Sequence, residues 1–97
     1  MHPGQADDLE FDEVNEAHLA RHGISATEVT QVWLNEPIYV PNKEALTARW
    51  LMLGDTAGGR SLTVAVVTLD LVRRLKPITG WNSTAGELTR WRPGRAR

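Results

Sequence analysis

The spacing of apolar and polar residues over the first third of the chain is typical of two helices. The first is predicted to open at Asp12 and to end at Gly23, because acids fill its first turn, bases fill its last turn, and glycine commonly follows a helix end. The second begins at Ser25, which forms a capping-box pattern with Glu28. This helix is predicted to end before Pro37, because proline cannot continue a helix.

The pattern that follows is typical of strands. Prolines flank the first predicted strand, which places it at a sheet edge. The third is nearly all Val, Leu, Thr and Ala, which suits a central strand covered on both faces. A glycine-rich turn at 54–59 and a turn near Asp70 separate the later strands. The four predicted strands cover residues 37–40, 46–53, 62–69 and 71–78.

The last predicted strand leads into a short helix. Strict alternation along this strand places Arg74, Lys76 and Ile78 together on one face of the sheet. Thr84 and Glu87 then form a second capping-box pattern, which predicts a helix that the proline at position 93 ends. The chain therefore predicts an α+β fold with two N-terminal helices, an antiparallel sheet meander and a short C-terminal helix.

All of these elements are expected to belong to one domain, because 97 residues are enough for one domain and too few for two. Residues 1–8 are polar and are expected to form a loose leader, and residues 93–97 a basic tail. A chain this short gains stability from association, so a homodimer is one assembly to expect.

A formal net charge of −1 conceals an uneven distribution of charge. Residues 1–59 carry ten acids and three Lys or Arg, whereas residues 60–97 carry two acids and eight Lys or Arg. A basic half can attract a polyanion even when the whole chain is nearly neutral. The alternative is that the two halves neutralise each other, or that the arginine-rich end is a solvated tail.

The residues that are missing from the sequence narrow the classes of site. There is no cysteine, which excludes disulfides and thiolate metal sites. We find no signal-peptide pattern and no apolar run long enough to span a bilayer, so a cytoplasmic protein without membrane contact is expected. His18 and His22 have the spacing of paired zinc ligands, but Leu19 stands where a zinc protease has its glutamate. No metal or other cofactor is therefore expected.

Several segments resemble the BrnT-like (DUF497) family. Residues 11–25 read FDEVNEAHLARHGIS, and the family opens similarly, with an aromatic–Asp pair, a helix ending in a basic residue, and His-Gly-Val/Ile. The pair Arg49-Trp50 is similar to the basic–aromatic pair of the family's next strand. Residues 76–79 with Thr84-x-x-Glu87 resemble its closing motif, although Trp81 stands where that motif has arginine. The resemblance covers roughly residues 9–92.

This resemblance implies the toxin of a type II toxin–antitoxin pair in bacteria. Such a toxin is a metal-independent endoribonuclease that a ribbon-helix-helix antitoxin inhibits. The family's element order is similar to that of RelE-type ribonucleases, in which basic side chains catalyse the cleavage of RNA. The replacement of the closing-motif arginine by Trp81 supports an alternative, a catalytically inactive BrnT-like module that binds a partner protein or nucleic acid.

Metal-free cleavage of RNA needs a proton acceptor, a proton donor and cations that hold the phosphate. Histidine suits the proton transfers, and arginine suits the phosphate because it can bind two oxygens at once. We therefore interpret His22, Arg49 and Lys76 as candidate catalytic residues. Arg60, Arg74 and Trp81 are candidates for binding RNA, Trp81 by stacking on a base. Trp91 on the last helix is a candidate contact with a partner, and Trp33 and Trp50 are assigned to the core.

Each candidate also has a structural interpretation. His22 at a helix end is favoured by the helix dipole alone. Arg49 on a strand commonly packs its aliphatic stem or pairs with an acid. Lys76 on an edge strand discourages aggregation. A tryptophan such as Trp81 in a small domain is more often part of the core or of an interface.

Overall fold

The computed structural model describes residues 1–43 and 48–91, and it confirms the α+β fold. A five-stranded sheet carries two helices on one face and one short helix on the other. The elements are β1 (Asp8–Leu9), α1 (Glu13–Arg21), α2 (Ala26–Leu34), β2 (Ile38–Pro41), β3 (Trp50–Asp55), β4 (Ser61–Leu69), β5 (Arg74–Asn82) and α3 (Ala85–Trp91), with one 3-10 turn at Pro3–Gln5.

Local capping signals place both N-terminal helices as predicted. The Asp12 carboxylate accepts the backbone N–H of Asn15 at 2.8 Å and so caps α1. Gly23, at φ +70°, ends that helix in the left-handed conformation that glycine tolerates. Ser25 and Glu28 form the reciprocal capping box of α2, with each side chain accepting the other's backbone N–H.

The strand order is β1-β5-β4-β3-β2, and β2 to β5 form the predicted antiparallel meander. β4 is central, and its residues from Leu62 to Val66 are buried. The limits of two predicted strands need correction. β5 runs from Arg74 to Asn82, so Leu71 lies in the preceding turn, and β3 begins at Trp50. Of the second predicted strand, residues 46 and 47 lie outside the described residues, as does the predicted tail at 93–97.

Alternation along β4 separates the two faces of the sheet. Leu62, Val64 and Val66 pack with α1 and α2 in the main core, so we call this side the helical face. Thr63, Ala65 and Val67 point to the opposite side, which we call the α3 face because the α3 residue Glu87 bonds to Thr63 there. The main core consists of Leu19, Ile24, Val29, Val32, Met52, Leu62, Val64, Val66 and Leu75.

Residues 1–8 are not the loose leader that their composition suggested. Pro3 is buried, and Asp8 of β1 pairs with Arg74 of β5 in parallel orientation. Arg73 donates to the Asp7 carboxylate at 3.0 Å and to the Gln5 carbonyl at 2.7 Å. These contacts join residues more than 60 positions apart, so no local pattern reveals them.

A β-bulge in β5 sets which side chains share a face. Val66 pairs with Pro77 and Ala65 with Thr79, so Ile78 is an extra residue without a partner of its own on β4. Beyond the bulge the alternation of β5 is reversed. The strict alternation predicted for the strand is therefore wrong after Pro77.

Candidate nucleic-acid interface

The bulge lines up four polar or aromatic side chains of β5 on the α3 face. Their partners on β4 are all odd-numbered residues, from Leu69 at one end to Thr63 at the other, and odd-numbered residues of β4 belong to the α3 face. Without the extra residue, the positions before and after the bulge would lie on opposite faces. The four side chains, which we call the β5 row, are Arg74, Lys76, Thr79 and Trp81.

Arg49 extends this surface from the other side of β4. Its carbonyl accepts the backbone N–H of Asn42 at 2.8 Å, so it continues the β2–β3 ladder beyond Trp50. Extending the β3–β4 register by one residue puts Arg49 beside Val67, which pairs with Lys76. Arg49 and Lys76 are thus two strands apart, about 10 Å between backbones. Arg49 is exposed, and the structure brings it together with the basic end of the β5 row.

Two cations of the β5 row have acidic partners at the surface. Lys76 Nζ lies 2.9 Å from Asp12 Oδ2, and an Arg74 guanidinium nitrogen lies 3.2 Å from Glu10 Oε1. Ion pairs this exposed contribute little to stability, so an incoming phosphate can compete for the cations. The hydrogen bond and charge of Asp12 raise the pKa of Lys76, which therefore stays a cation at neutral pH and cannot act as a general base.

The predicted base or acid, His22, lies away from these cations. It is the C-cap of α1, whereas Lys76 pairs with Asp12 at the opposite end of that helix. Ten residues of helix span about 15 Å, so His22 and Lys76 do not form one site. All three histidines of the chain, His2 included, belong to segments that pack on the helical face. The combined His22–Lys76 site is therefore not supported.

Arg60 is also placed elsewhere, and protein groups hold its side chain. Its Nε donates to Asn82 Oδ1 at 2.8 Å, and one terminal nitrogen donates to the Gly23 carbonyl at 2.8 Å and to Glu28 Oε2 at 3.0 Å. These bonds join the α1–α2 turn to the ends of β4 and β5. The contacts favour a structural role over the predicted binding of phosphate.

Trp81 is held by a residue of α3, Glu87. Its indole N–H donates to both Glu87 oxygens, at 3.0 and 3.2 Å. Glu87 also accepts the Thr84 backbone N–H at 2.8 Å and the hydroxyl of the fully buried Thr63 at 2.9 Å. Partial burial raises the pKa of Glu87, but these hydrogen bonds outweigh it, and the pKa lies below the ordinary 4.5. The sequence revealed Glu87 only as a helix cap.

Trp91 is not the surface contact that the sequence suggested. It is 1% exposed and packs with Val40 and Leu53 in a second, smaller core. Its indole N–H donates to Asp55 Oδ1 at 3.2 Å. Since the chain itself buries this side chain, contact with a partner is not supported. Trp33 and Trp50 are partly buried against the main core, close to their predicted role.

An acidic groove on the helical side is unsuited to RNA. It is an open groove of about 450 Å³ beside α1 and α2, and its lining includes the carboxylates of Glu16 and Glu28. Glu28 is already paired with Arg60, and the residues that line the groove include no cation that could bind a phosphate. The basic end of the α3 face therefore remains the better surface for a polyanion.

Comparison of the sequence with protein-family models and with curated proteins found no match. Within residues 1–43 and 48–91, no cluster of three His, Asp or Glu side chains could hold a metal ion. In the same described part of the chain, no helix is long and apolar enough to cross a membrane.

Proposed function

We propose that this chain is a BrnT-like toxin that binds and cleaves RNA on the α3 face. The support comes from Lys76, which pairs with Val67, from Arg74, which is next in the β5 row, and from Arg49, which the extended β3–β4 register puts on the other side of Val67. Three cations then meet at one end of a sheet face, where they can bind successive phosphates. RelE-type ribonucleases, whose element order is similar to that of the BrnT-like family, also depend on basic side chains.

The chemistry we propose is metal-free phosphodiester cleavage. The 2′-oxygen attacks the phosphorus, the bond to the 5′-oxygen breaks, and negative charge grows on the phosphate oxygens. Arg49 and Lys76 would stabilise that charge, and Lys76 would protonate the leaving 5′-oxygen. The proton of the 2′-hydroxyl would pass to water, because His22 lies at the far end of α1.

The partner that we propose is a ribbon-helix-helix antitoxin, on the strength of the family resemblance. Contact with RNA and contact with the antitoxin would compete if the antitoxin covers the α3 face. Trp91 takes no part in this proposal, because it is buried in the chain's own core.

The test is an incubation of purified protein with total RNA at neutral pH, with and without EDTA. We expect cleavage that persists in EDTA and falls roughly 100-fold in Lys76→Ala and in Arg49→Ala, the loss typical of one stabilising donor. Arg21→Ala is the matched control, since it removes an exposed cation from α1 on the other side of the sheet. His22→Ala is expected to retain activity. Intact RNA in every reaction would reject the nuclease proposal.

A specific observation also favours a second candidate, a BrnT-like module that binds RNA without cleaving it. Lys76 and Arg74 are paired with Asp12 and Glu10, and the histidines lie on the other side of the sheet. Cations without a nearby base are sufficient for binding and leave cleavage slow. Salt-sensitive binding of RNA that stays intact, and that weakens in Lys76→Ala, would establish this candidate.

A further inference from the structure

We propose that Trp81 is a stacking platform for one unpaired base of single-stranded RNA, and that Glu87 is the residue that positions it. This inference rests on the proposal that RNA binds the α3 face. It adds to that proposal the selection of unpaired over paired RNA, and it gives a role to Glu87.

The bulge at Ile78 brings the platform to the face that carries the cations. Strict alternation would put Trp81 on the helical face, opposite to Lys76. With the extra residue, Trp81 pairs with Thr63 and Lys76 with Val67, and both side chains lie on the α3 face. Thr63 and Val67 are four positions apart on β4, so Trp81 and Lys76 lie about 13 Å from each other along the sheet. Bulges that re-aim a side chain are concentrated next to functional sites.

The contacts of Glu87 fix the orientation of the indole. The carboxylate is held at three points by Thr84, Thr63 and the Trp81 N–H itself. The indole edge that carries the N–H is thus anchored to α3, and the residue is partly buried. An aromatic ring that is fixed before binding loses little conformational freedom when a base stacks on it.

The chemistry of this surface favours a single strand. In an RNA duplex the bases are stacked on each other, and proteins mainly contact the 2′-hydroxyls and phosphates. An unpaired base can turn onto an aromatic ring while its neighbouring phosphates reach cations. Trp81 at one end of the β5 row, with Lys76 and Arg74 at the other, offers both contacts along one strand.

The experiment measures binding of a fluorescein-labelled single-stranded RNA, and of the same sequence annealed to its complement, by anisotropy. Trp81→Ala is expected to weaken single-strand binding roughly 5- to 150-fold, the range for stacking of one base, and to change duplex binding little. Glu87→Ala should weaken single-strand binding by a smaller factor. Glu87→Gln should restore most of it, because the amide oxygen still accepts the indole N–H. Trp33→Phe is the control for loss of a tryptophan remote from the site.

A spectroscopic readout separates positioning from folding. Single-stranded RNA should quench part of the tryptophan emission of the wild-type protein, and Trp81→Phe, which keeps an aromatic ring in place, should lose that part. The double variant that combines Trp81→Ala and Glu87→Ala should bind single-stranded RNA no more weakly than Trp81→Ala alone, because Glu87 acts through Trp81. Circular dichroism confirms that each variant is folded.

The outcomes distinguish this inference from the proposed function. Trp81-dependent binding of single strands without cleavage supports the platform and rejects the nuclease. Cleavage of RNA by a folded Trp81→Ala protein whose affinity for single strands is unchanged overturns the platform and leaves the nuclease standing. Equal losses for single strands and duplex in Trp81→Ala would overturn the selection of unpaired bases.

Discussion

Arg60 and Lys76 have the same charge and lie near opposite ends of the β4–β5 pair, yet their surroundings differ. Arg60 has three protein acceptors that belong to three separate segments. Lys76 has one ion-pair partner, Asp12, at the surface. A cation that donates to several protein acceptors stabilises the fold, whereas a cation with one exposed partner remains open to a ligand. Residue type alone therefore does not separate structural from functional cations.

The largest expected effect is a loss of stability when Arg60 is replaced. Arg60→Ala removes bonds to Glu28, Gly23 and Asn82, and we expect a loss of about 2 kcal/mol in the free energy of unfolding. For a chain of this size that lowers the melting temperature by about 10 °C. Arg60→Lys should recover only part of this loss, because the planar fork is gone. The RNA affinity of the folded protein should not change. A large loss of affinity would contradict the assignment of Arg60 to a structural role.

A smaller effect is expected from releasing Lys76. Asp12→Asn removes the acidic partner but keeps a good N-cap for α1, since asparagine and aspartate cap helices about equally well. We expect RNA affinity at low salt to rise several-fold, with a nearly unchanged melting temperature. The control is Asp7→Asn, which removes a carboxylate whose partner, Arg73, is not in the β5 row. Unchanged or weaker binding of RNA by Asp12→Asn would contradict the role of Lys76 in binding phosphate.

The smallest effects are expected in the titration of the two acidic partners. The Ser25 backbone N–H is the main cause that lowers the pKa of Glu28, followed by Arg60. The Asn15 backbone N–H similarly leads Lys76 in lowering the pKa of Asp12. In Arg60→Ala and in Lys76→Met, each pKa should rise but remain below its ordinary value, as NMR titration would show.

The sign of the pH dependence follows from these lowered values. Each carboxylate contributes stability that is fully present above its ordinary pKa, 4.5 for Glu28 and 3.8 for Asp12. That contribution is lost as the pH falls through the lowered pKa of the folded state. A pKa that reached the ordinary value in either variant would show that the cation, and not the helix cap, is the main cause.

The sequence predicted features whose causes are local. The Ser25–Glu28 and Thr84–Glu87 boxes were correctly identified as helix starts, because each capping interaction lies within one turn. The composition of β4 correctly indicated a strand covered on both faces. Such signals need no knowledge of the residues that lie across the sheet.

The arrangement of the candidate site depends on contacts that are distant in sequence. The bulge at Ile78 is a property of the β4–β5 register, so alternation alone could not show that Lys76 and Trp81 share a face. The distance between His22 and Lys76 depends on how α1 lies along β5. Burial of Trp91 depends on β2 and β3, which precede it by many residues. The residue types were identified from the sequence, but their grouping required the fold.

The pairing of β1 with β5 has a consequence for the order of folding. The helices and the β2–β5 meander close short loops, but Asp8 pairs with Arg74, at the far end of a chain segment that includes nearly all other elements. Closing so long a loop early has a high entropic cost, and non-local pairings generally form slowly. β1 precedes its partner β5 by more than 60 residues, and we expect this pairing to form after those of the β2–β5 meander. Weakening the Asp7–Arg73 contact should speed unfolding and leave the folding rate nearly unchanged.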